Sequence, residues 1–179
     1  TIYENKYISE HIENVCFVGR VEKRKGVQEL LDASLALPNI HFNIIGPIED
    51  EEFKNICIQN VEFWGSVDNK EIFNILSKMD VYILPSYSEG FPLGVLEAMS
   101  CGVPVIASDV GAVKDMIEEG GGLLVRPKFA KDIIDALNTM DDQEIRKKMS
   151  KNNIKKVKES YTIEAVMKQF LNVYALCDR

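Results

Sequence analysis

The chain has 179 residues, a formal net charge of −7 and 46% hydrophobic residues, which is typical of a single globular domain. The acidic excess excludes a general nucleic-acid-binding protein, because such proteins need a basic face, but it is compatible with a small anionic ligand. No apolar run approaches the roughly 18 residues that a membrane-spanning helix needs.

Short apolar runs then alternate with segments of helical periodicity along the whole chain. The predicted elements, in chain order, are strand 15–18, helix 26–37, strand 40–45, a short acidic helix 49–56, strand 61–64, helix 69–79, strand 81–84, helix 92–100, strand 103–107, helix 113–119, strand 123–125 and a helical C-terminal end 130–176 with breaks near Asp141 and Ser160.

This alternation indicates an α/β fold, a Rossmann-like doubly wound parallel sheet of about six strands with helices on both faces. Ligands of such sheets bind beyond the carboxyl ends of the strands. The candidate site is therefore predicted among the loops that follow strands, which are residues 19–26, 46–49, 65–68, 85–93, 108–112 and 126–129.

Four cysteines, Cys16, Cys57, Cys101 and Cys177, are scattered without any Cys-x-x-Cys pair. This spacing disfavours a metal cluster, and the apolar surroundings of most of them predict buried free thiols in a reducing compartment. We therefore expect a cytoplasmic protein, with the inner face of the membrane as a second option. Because the chain begins at Thr1, we also expect it to be a piece of a longer protein.

The loop after the fourth strand leads into a helix through the segment SEGFPLGVLEAMS, residues 88–100. Pro92 suits the first helical turn, where its missing N–H would have had no partner. The next amides, of Leu93 and Gly94, point out of the positive end of the helix and form an anion site. Gly94 has no side chain to hold a ligand away. We expect a phosphate group to bind these amides.

Two glutamates flank this phosphate position. Glu97 would repel a phosphate unless it meets hydroxyl groups, and the 2′ and 3′ hydroxyls of a ribose are natural partners. Glu89, on the opposite side, is placed to accept hydrogen bonds from a second polyol. The pattern predicts a nucleoside-diphosphate sugar as ligand. The spacing leaves an alternative open, in which Glu89 only stabilises the helix start and Glu97 is a surface residue.

The loop after the first strand, GRVEKRKG (residues 19–26), is basic. Arg20 stands at the end of the strand and Lys25 precedes the next helix, so both cations are predicted to face the same crevice. There they would neutralise the charges of a diphosphate leaving group. Lys23 and Arg24 add positive potential, and a merely solvated loop is the alternative.

These segments together resemble the C-terminal, nucleotide-sugar-binding domain of the family-4 retaining glycosyltransferases of the GT-B fold. The E-x7-E element of that family matches Glu89 and Glu97, and its GR…KG element matches Arg20 and Lys25. The segments VEFWGSV, MDVYILPS, CGVPVIASDVGAVKDMI and GLLVRP follow in the family's order. The resemblance covers residues 15 to about 140. Pro92 departs from the family's usual glycine, which removes one amide and stiffens the turn.

The resemblance implies a role for each matching position. Arg20 and Lys25 would bind the diphosphate, and Glu97 the ribose. Glu89 would lie beside the transferred sugar and is the candidate catalytic residue. The other implied donor-binding residues are Gly90, Phe91, Pro92, Leu93 and Gly94 around the phosphates, and Gly46, Pro47, Ser66 and Val67 around the base. For Val67 a core role remains an alternative.

The resemblance also implies the activity. A sugar would be transferred from a UDP-, GDP- or ADP-sugar to an acceptor, with retention and without a required metal, in surface glycan or polysaccharide biosynthesis. Residues 1–179 would form the donor-binding half, and an N-terminal domain outside this chain would bind a glycan or lipid-linked acceptor. We therefore expect the isolated chain to bind donor but to be poorly active.

Two other functions compete with this interpretation. A nicotinamide-dependent oxidoreductase does not fit, because the G-x-G-x-x-G that should follow the first strand is missing. A non-catalytic nucleotide-sugar-binding module remains open, since all four charged residues can bind without catalysing.

The C-terminal end carries one further segment of interest, RKKMSKNNIKKVK, residues 146–158, with seven basic residues and no acidic one. A solvated helix face and a weak peripheral contact with an anionic membrane are its two interpretations. The closing helix is predicted to pack through Val166, Phe170, Val173 and Tyr174.

Overall fold

The computed structural model of the chain describes residues 2–3 and 6–177, with side chains as far as residue 171. Within this part of the chain, the strands are β1 Asn14–Val18, β2 His41–Ile45, β3 Val61–Gly65, β4 Val81–Leu84, β5 Val105–Ser108 and β6 Gly122–Val125. The α-helices are α1 Val27–Ala36, α2 Asn69–Leu76, α3 Leu93–Ser100, α4 Val113–Ile117, α5 Ala130–Met140, α6 Gln143–Lys156 and α7 Ile163–Cys177.

The strands form one parallel sheet with the order β3-β2-β1-β4-β5-β6. The predicted doubly wound sheet of six strands is thereby confirmed. At the centre, β1 pairs with β4 through Val15 opposite Val81 and Cys16 opposite Tyr82. The direction of winding reverses between these two strands, so the helices that follow β1 and β4 lie on opposite faces, and sheets of this kind bind their ligands at the carboxyl edge of this reversal.

Helices cover both faces of the sheet. Helices α1 and α5 pack together, and α3 contacts α2, α4 and α6. Right-handed crossovers put these two groups on opposite faces, because β1 to β2 and β4 to β5 run in opposite directions across the sheet. The central strands β4 and β5 are buried at every position. This double burial explains why their sequences, VYIL and VIAS, show no polar alternation.

The predicted acidic helix 49–56 is wrong, because only a single 3-10 turn forms at Glu51–Phe53. The first residues of the segment instead form hydrogen bonds with the loop after β1. The amide of Glu49 donates to the carbonyl of Val21 over 3.1 Å, and the Asp50 carboxylate accepts from the amide of Lys23 over 2.7 Å. These tertiary bonds stop the segment from continuing as a helix.

The helical C-terminal end is confirmed, with both breaks where they were predicted. Asp142 caps α6 by accepting from the amides of Glu144 and Ile145, and a π-helical segment, Val157–Tyr161, separates α6 from α7. The predicted packing of Phe170 is wrong, because its side chain is 56% exposed. The side chains of Val173 and Tyr174 lie outside those that the structure describes.

Cys16 and Cys101 are buried free thiols, as predicted, whereas Cys57 is exposed. The side chain of Cys177 lies outside the described part. Among the described residues, none of the helices combines the length and the apolar character that are needed to traverse a bilayer.

Candidate functional site

The basic loop after β1 is locked against the loop after β4 at Gly26. Gly26 has the left-handed conformation, with φ of 74°, and a Cβ there would overlap the carbonyl group of Pro85. The amide of Tyr87 also donates to the carbonyl of Arg24 over 2.9 Å. Only glycine satisfies both the conformation and the close approach. Gly26 therefore holds the basic loop beside the segment that carries Glu89.

An ion pair joins the two loops. The Nζ of Lys25 donates to the Oε1 of Glu89 over 2.7 Å, and the two side chains are only 17% and 12% exposed. The sequence predicts both residues in one crevice, with Lys25 at the phosphate and Glu89 at the sugar, but it does not predict that they contact each other. Charge-assisted hydrogen bonds are the strong ones, so each group fixes the orientation of the other.

Arg20 lies at the exposed side of the basic loop. Its side chain is 54% exposed, and its Nη2 is 3.5 Å from the Oε1 of Glu22. The Nη2 of Arg24 donates to the same oxygen over 3.0 Å. Glu22 thus holds two guanidinium groups together, a role that the sequence analysis missed. The signal was available, because Glu22 is the one acidic residue of that loop and has an arginine two positions away on each side.

Helix α3 begins at Leu93, so the predicted place of Pro92 in the first turn is wrong. Pro92 is the N-cap, with extended backbone angles of φ −76° and ψ 108°, which the fixed φ of proline permits. The amide of Val95 donates to the carbonyl of Pro92 over 3.1 Å. Within the described chain, the amides of Leu93 and Gly94 have no hydrogen-bond partner. They are the unsatisfied donors that an anion site at this helix end requires.

The structure requires glycine at position 94 for a reason other than the predicted approach of a ligand. A Cβ at Gly94 would overlap the hydroxyl oxygen of Tyr82 beneath the helix and would lie 3.7 Å from the carbonyl oxygen of Val18. Its missing side chain faces the protein, so glycine lets α3 settle onto the end of β1. Burial raises the pKa of Tyr82 well above its usual value, and the nearby carboxylates of Glu97 and Glu89 raise it further.

The loop after β5 supports Glu89 from another side. The amide of Ala112 donates to the carbonyl of Gly90 over 2.9 Å. A Cβ at Gly111, where φ is 56°, would overlap the carbonyl of Glu89. Gly90 itself is exposed. The loop after β5 thus holds the backbone of residues 89–90 in position, while Lys25 of the basic loop holds the side chain of Glu89.

Glu97 lies on the flank of α3 that faces the start of α7. It lines a mostly apolar cavity of about 660 Å³ with Leu93, Leu96 and Tyr161, and burial raises its pKa above the usual glutamate value. The ring of Tyr161 meets the 47%-exposed Phe91 edge-on, with centroids 5.9 Å apart. The sequence analysis missed this cavity, because half of its wall comes from the C-terminal segment.

The loops after β2 and β3 border the crevice beside β1. Gly46 is buried with φ of 139°, and a Cβ there would overlap the carbonyl of Gly19. Gly46 therefore serves the close approach of two strand ends and offers little surface. Pro47 and Ser66 are exposed, whereas Val67 is half-buried against the core, which favours its alternative role. Contacts of these residues with a base remain a prediction.

A parallel sheet with this order and a crevice at the reversal defines a Rossmann-like, doubly wound ligand-binding domain. The chain belongs to the family of glycosyl transferases group 1, whose model matches residues 4–156. It is therefore a glycosyltransferase domain of the GT-B type, as the resemblance in its sequence implied.

Three known proteins illustrate this kinship. The chain is 33% identical over 132 residues to a candidate teichuronic acid biosynthesis glycosyltransferase of Bacillus subtilis, TuaC, a match that spans 73% of this chain and 33% of the relative. It is 28% identical over 169 residues to the N,N'-diacetylbacillosaminyl-diphospho-undecaprenol alpha-1,3-N-acetylgalactosaminyltransferase of Campylobacter jejuni, with coverage of 89% and 44%.

The solved C-terminal domain of the group 1 glycosyl transferase LpcC from Francisella tularensis superposes with a TM-score of 0.76 at 30% identity, covering 84% of this chain and 87% of that one. The chain spans less than half the length of the two curated relatives.

Proposed function

We propose that the chain is the donor-binding domain of a retaining glycosyltransferase that uses a nucleoside-diphosphate sugar. The observation that carries the proposal is the convergence of three groups at the strand-order reversal. The basic loop after β1 lies against the loop after β4, and the free amides at the start of α3 rest on the end of β1. A diphosphate fits this setting, because the half-buried Lys25, the exposed Arg20 and the unsatisfied amides of α3 are groups that bind it.

The same groups suit the chemistry of transfer. When the bond between the anomeric carbon and the diphosphate breaks, negative charge develops on the departing phosphate. Lys25, Arg20 and the α3 amides stabilise that charge more than they stabilise the intact donor, which lowers the barrier. An acceptor hydroxyl forms the new bond on the face that the diphosphate leaves, and its proton passes to the departing phosphate oxygen as the bond forms. No protein nucleophile and no metal are required.

Glu89 is the residue that we assign to the sugar. Its carboxylate is held by Lys25 and its backbone by the loop after β5, so it is oriented before the donor arrives. Glu97, on the next turns of α3, is assigned to the ribose hydroxyls. The acceptor, a glycan or a lipid-linked glycan as in the relatives named above, is assigned to the remainder of a full-length protein.

A calorimetric panel tests donor binding in the 179-residue chain. We expect one of UDP, GDP or ADP, with its sugar, to bind, and binding to weaken about tenfold in an Arg20→Ala variant through the loss of one charged hydrogen bond. Absence of binding to every member would refute the proposal. Donor hydrolysis after the N-terminal half of a full-length protein is added would separate the enzyme from a non-catalytic nucleotide-sugar module.

The raised pKa of Glu97 predicts a pH dependence. The ionised carboxylate accepts hydroxyl hydrogen bonds through both oxygens and binds them more strongly than the neutral acid does, so affinity for the nucleotide sugar should fall as acidification protonates Glu97. The Glu97→Gln variant should bind about tenfold more weakly at neutral pH and show little change on acidification. Calorimetry with the intact donor is the measurement, since its esterified phosphates do not titrate in this range.

The same substitution should have the opposite effect on stability. Because the pKa is raised in the folded state, ionised Glu97 lowers the free energy of unfolding at neutral pH and this cost disappears on acidification. Glu97→Gln should therefore stabilise the domain at pH 7 but not in acid. A variant that matches the wild type at every pH in both measurements would contradict the assignment.

A further inference from the structure

Three exposed lysines form a stripe along α6. Lys148, Lys151 and Lys155 follow one another at spacings of three and four residues, which places them on one face of the helix. The stripe contrasts with the whole chain, whose net charge is −7. We name Lys148, Lys151 and Lys155 the lysine stripe.

The other basic residues of α6 are committed within the protein. Arg146 is fully buried and donates to backbone carbonyls, among them that of Met140 over 2.7 Å. The Nζ of Lys147 donates to Glu144, and that of Lys156 to Glu119, each over 2.7 Å. Arg146 is therefore unavailable to a partner, and Lys147 and Lys156 already have carboxylate partners.

The three lysines of the stripe form no ion pair with the described residues. Among the described residues, no carboxylate lies within ion-pair distance of Lys148, Lys151 or Lys155. Two acidic residues are nevertheless near its C-terminal end. Glu159 lines the same surface hollow as Lys151 and Lys155, and the charge of Lys155 contributes to lowering the pKa of Glu119.

The opposite side of α6 is fixed to the sheet, so the stripe is presented outward. Asn153 is fully buried and donates to the carbonyls of Val103 and Gly121, over 2.8 and 2.9 Å, just before β5 and β6. The π-helical segment that follows α6 ends at Tyr161, whose ring contacts Phe91 at the rim of the candidate donor site. The stripe thus belongs to a rigid helix that leads toward that site.

We propose that the lysine stripe binds the surface of an anionic lipid bilayer. Charge complementarity requires an anionic partner. The segment after the stripe favours a bilayer over a soluble polyanion. Met167 and Leu171, on α7, are 53% and 64% exposed. A soluble polyanion offers nothing to apolar side chains, whereas the headgroup region of a bilayer accommodates them beside lysines. This binding does not depend on the proposed donor site.

Vesicle co-sedimentation of the 179-residue chain tests the proposal. The chain should bind vesicles of phosphatidylcholine with phosphatidylglycerol, and not phosphatidylcholine alone, and added salt should release it. Each lysine near a charged membrane contributes about fivefold to partitioning, so the triple variant Lys148→Gln, Lys151→Gln, Lys155→Gln should bind roughly a hundredfold more weakly.

A matched control makes the same change of charge elsewhere. The exposed Lys70, Lys78 and Lys131 lie outside α6, and their triple glutamine variant should keep vesicle binding within about threefold of the wild type. Thermal unfolding should be unaltered in both variants, since exposed substitutions change stability little. Equal losses in the two triple variants, or binding to dextran sulfate without binding to the anionic vesicles, would overturn the proposal.

Discussion

Replacing Lys25 with methionine is expected to weaken the binding of the nucleoside diphosphate by about a hundredfold. The loss corresponds to about 2.7 kcal/mol, which is in the range of a partly buried hydrogen bond between charged groups. Methionine keeps the length and the apolar stem of the side chain but removes the charge. Glu89 then loses its partner at 2.7 Å, and its unopposed negative charge repels the phosphates. Isothermal titration of the 179-residue chain measures the effect.

Two variants give this prediction its controls. Lys23→Met makes the same change of charge in the same loop, but Lys23 is exposed, so its effect should stay below about threefold. Glu89→Gln releases Lys25 from its carboxylate and should tighten the binding of the bare diphosphate by about fivefold, while the sugar-bearing donor gains less. If Lys23→Met and Lys25→Met weaken binding equally, the diphosphate does not bind at Lys25.

The second large effect is expected at Gly94, where alanine should lower the free energy of unfolding by about 2 kcal/mol or more. The added methyl group would overlap the hydroxyl of the fully buried Tyr82, so α3 or the ring must shift. In a chain of this size the midpoint of thermal unfolding should fall by about 4–8 °C. Because α3 carries the free amides, diphosphate binding should weaken as well.

A double-mutant cycle shows whether the hydroxyl is the cause. Tyr82→Phe removes the atom that the methyl group meets, so the double variant with Gly94→Ala should recover at least half of the lost stability. Gly90→Ala is the matched control, because a Cβ there meets nothing within 4 Å, and it should change stability by less than about 0.5 kcal/mol. Failure of Tyr82→Phe to restore stability would contradict the packing described for α3.

The strands of the sheet were predictable because a strand that is buried on both faces consists of a short run of apolar residues, which is visible in the sequence. The same holds for the breaks in the C-terminal helices, where Asp142 supplies a local cap. Segment 49–56 was predicted wrongly because its acidic composition suits a helix, while its hydrogen bonds go to Val21 and Lys23, more than twenty residues away. Local pattern cannot report such bonds.

Within the candidate site, the residue types were predictable and their partners were not. Glu89 and Lys25 were recognised as facing one crevice, but their ion pair depends on the contact between Gly26 and Pro85. The role of Glu22 was not predicted, because Glu22 contacts the neighbouring Arg20 and Arg24 and was not itself expected to contact a ligand. Tyr82 was predicted only as part of a strand, since the sequence VYIL does not indicate that its hydroxyl lies directly beneath Gly94.

By itself, the sequence determined that this chain forms alternating strands and helices, and that its chemistry-bearing residues follow strands. Those properties are local, because apolar spacing and capping residues act over a few positions. Only the tertiary structure decided that β1 lies beside β4 and that the winding reverses there. Strand order depends on the packing of whole helices and on right-handed crossovers, and it alone brings residues 64 positions apart, Lys25 and Glu89, into one ion pair.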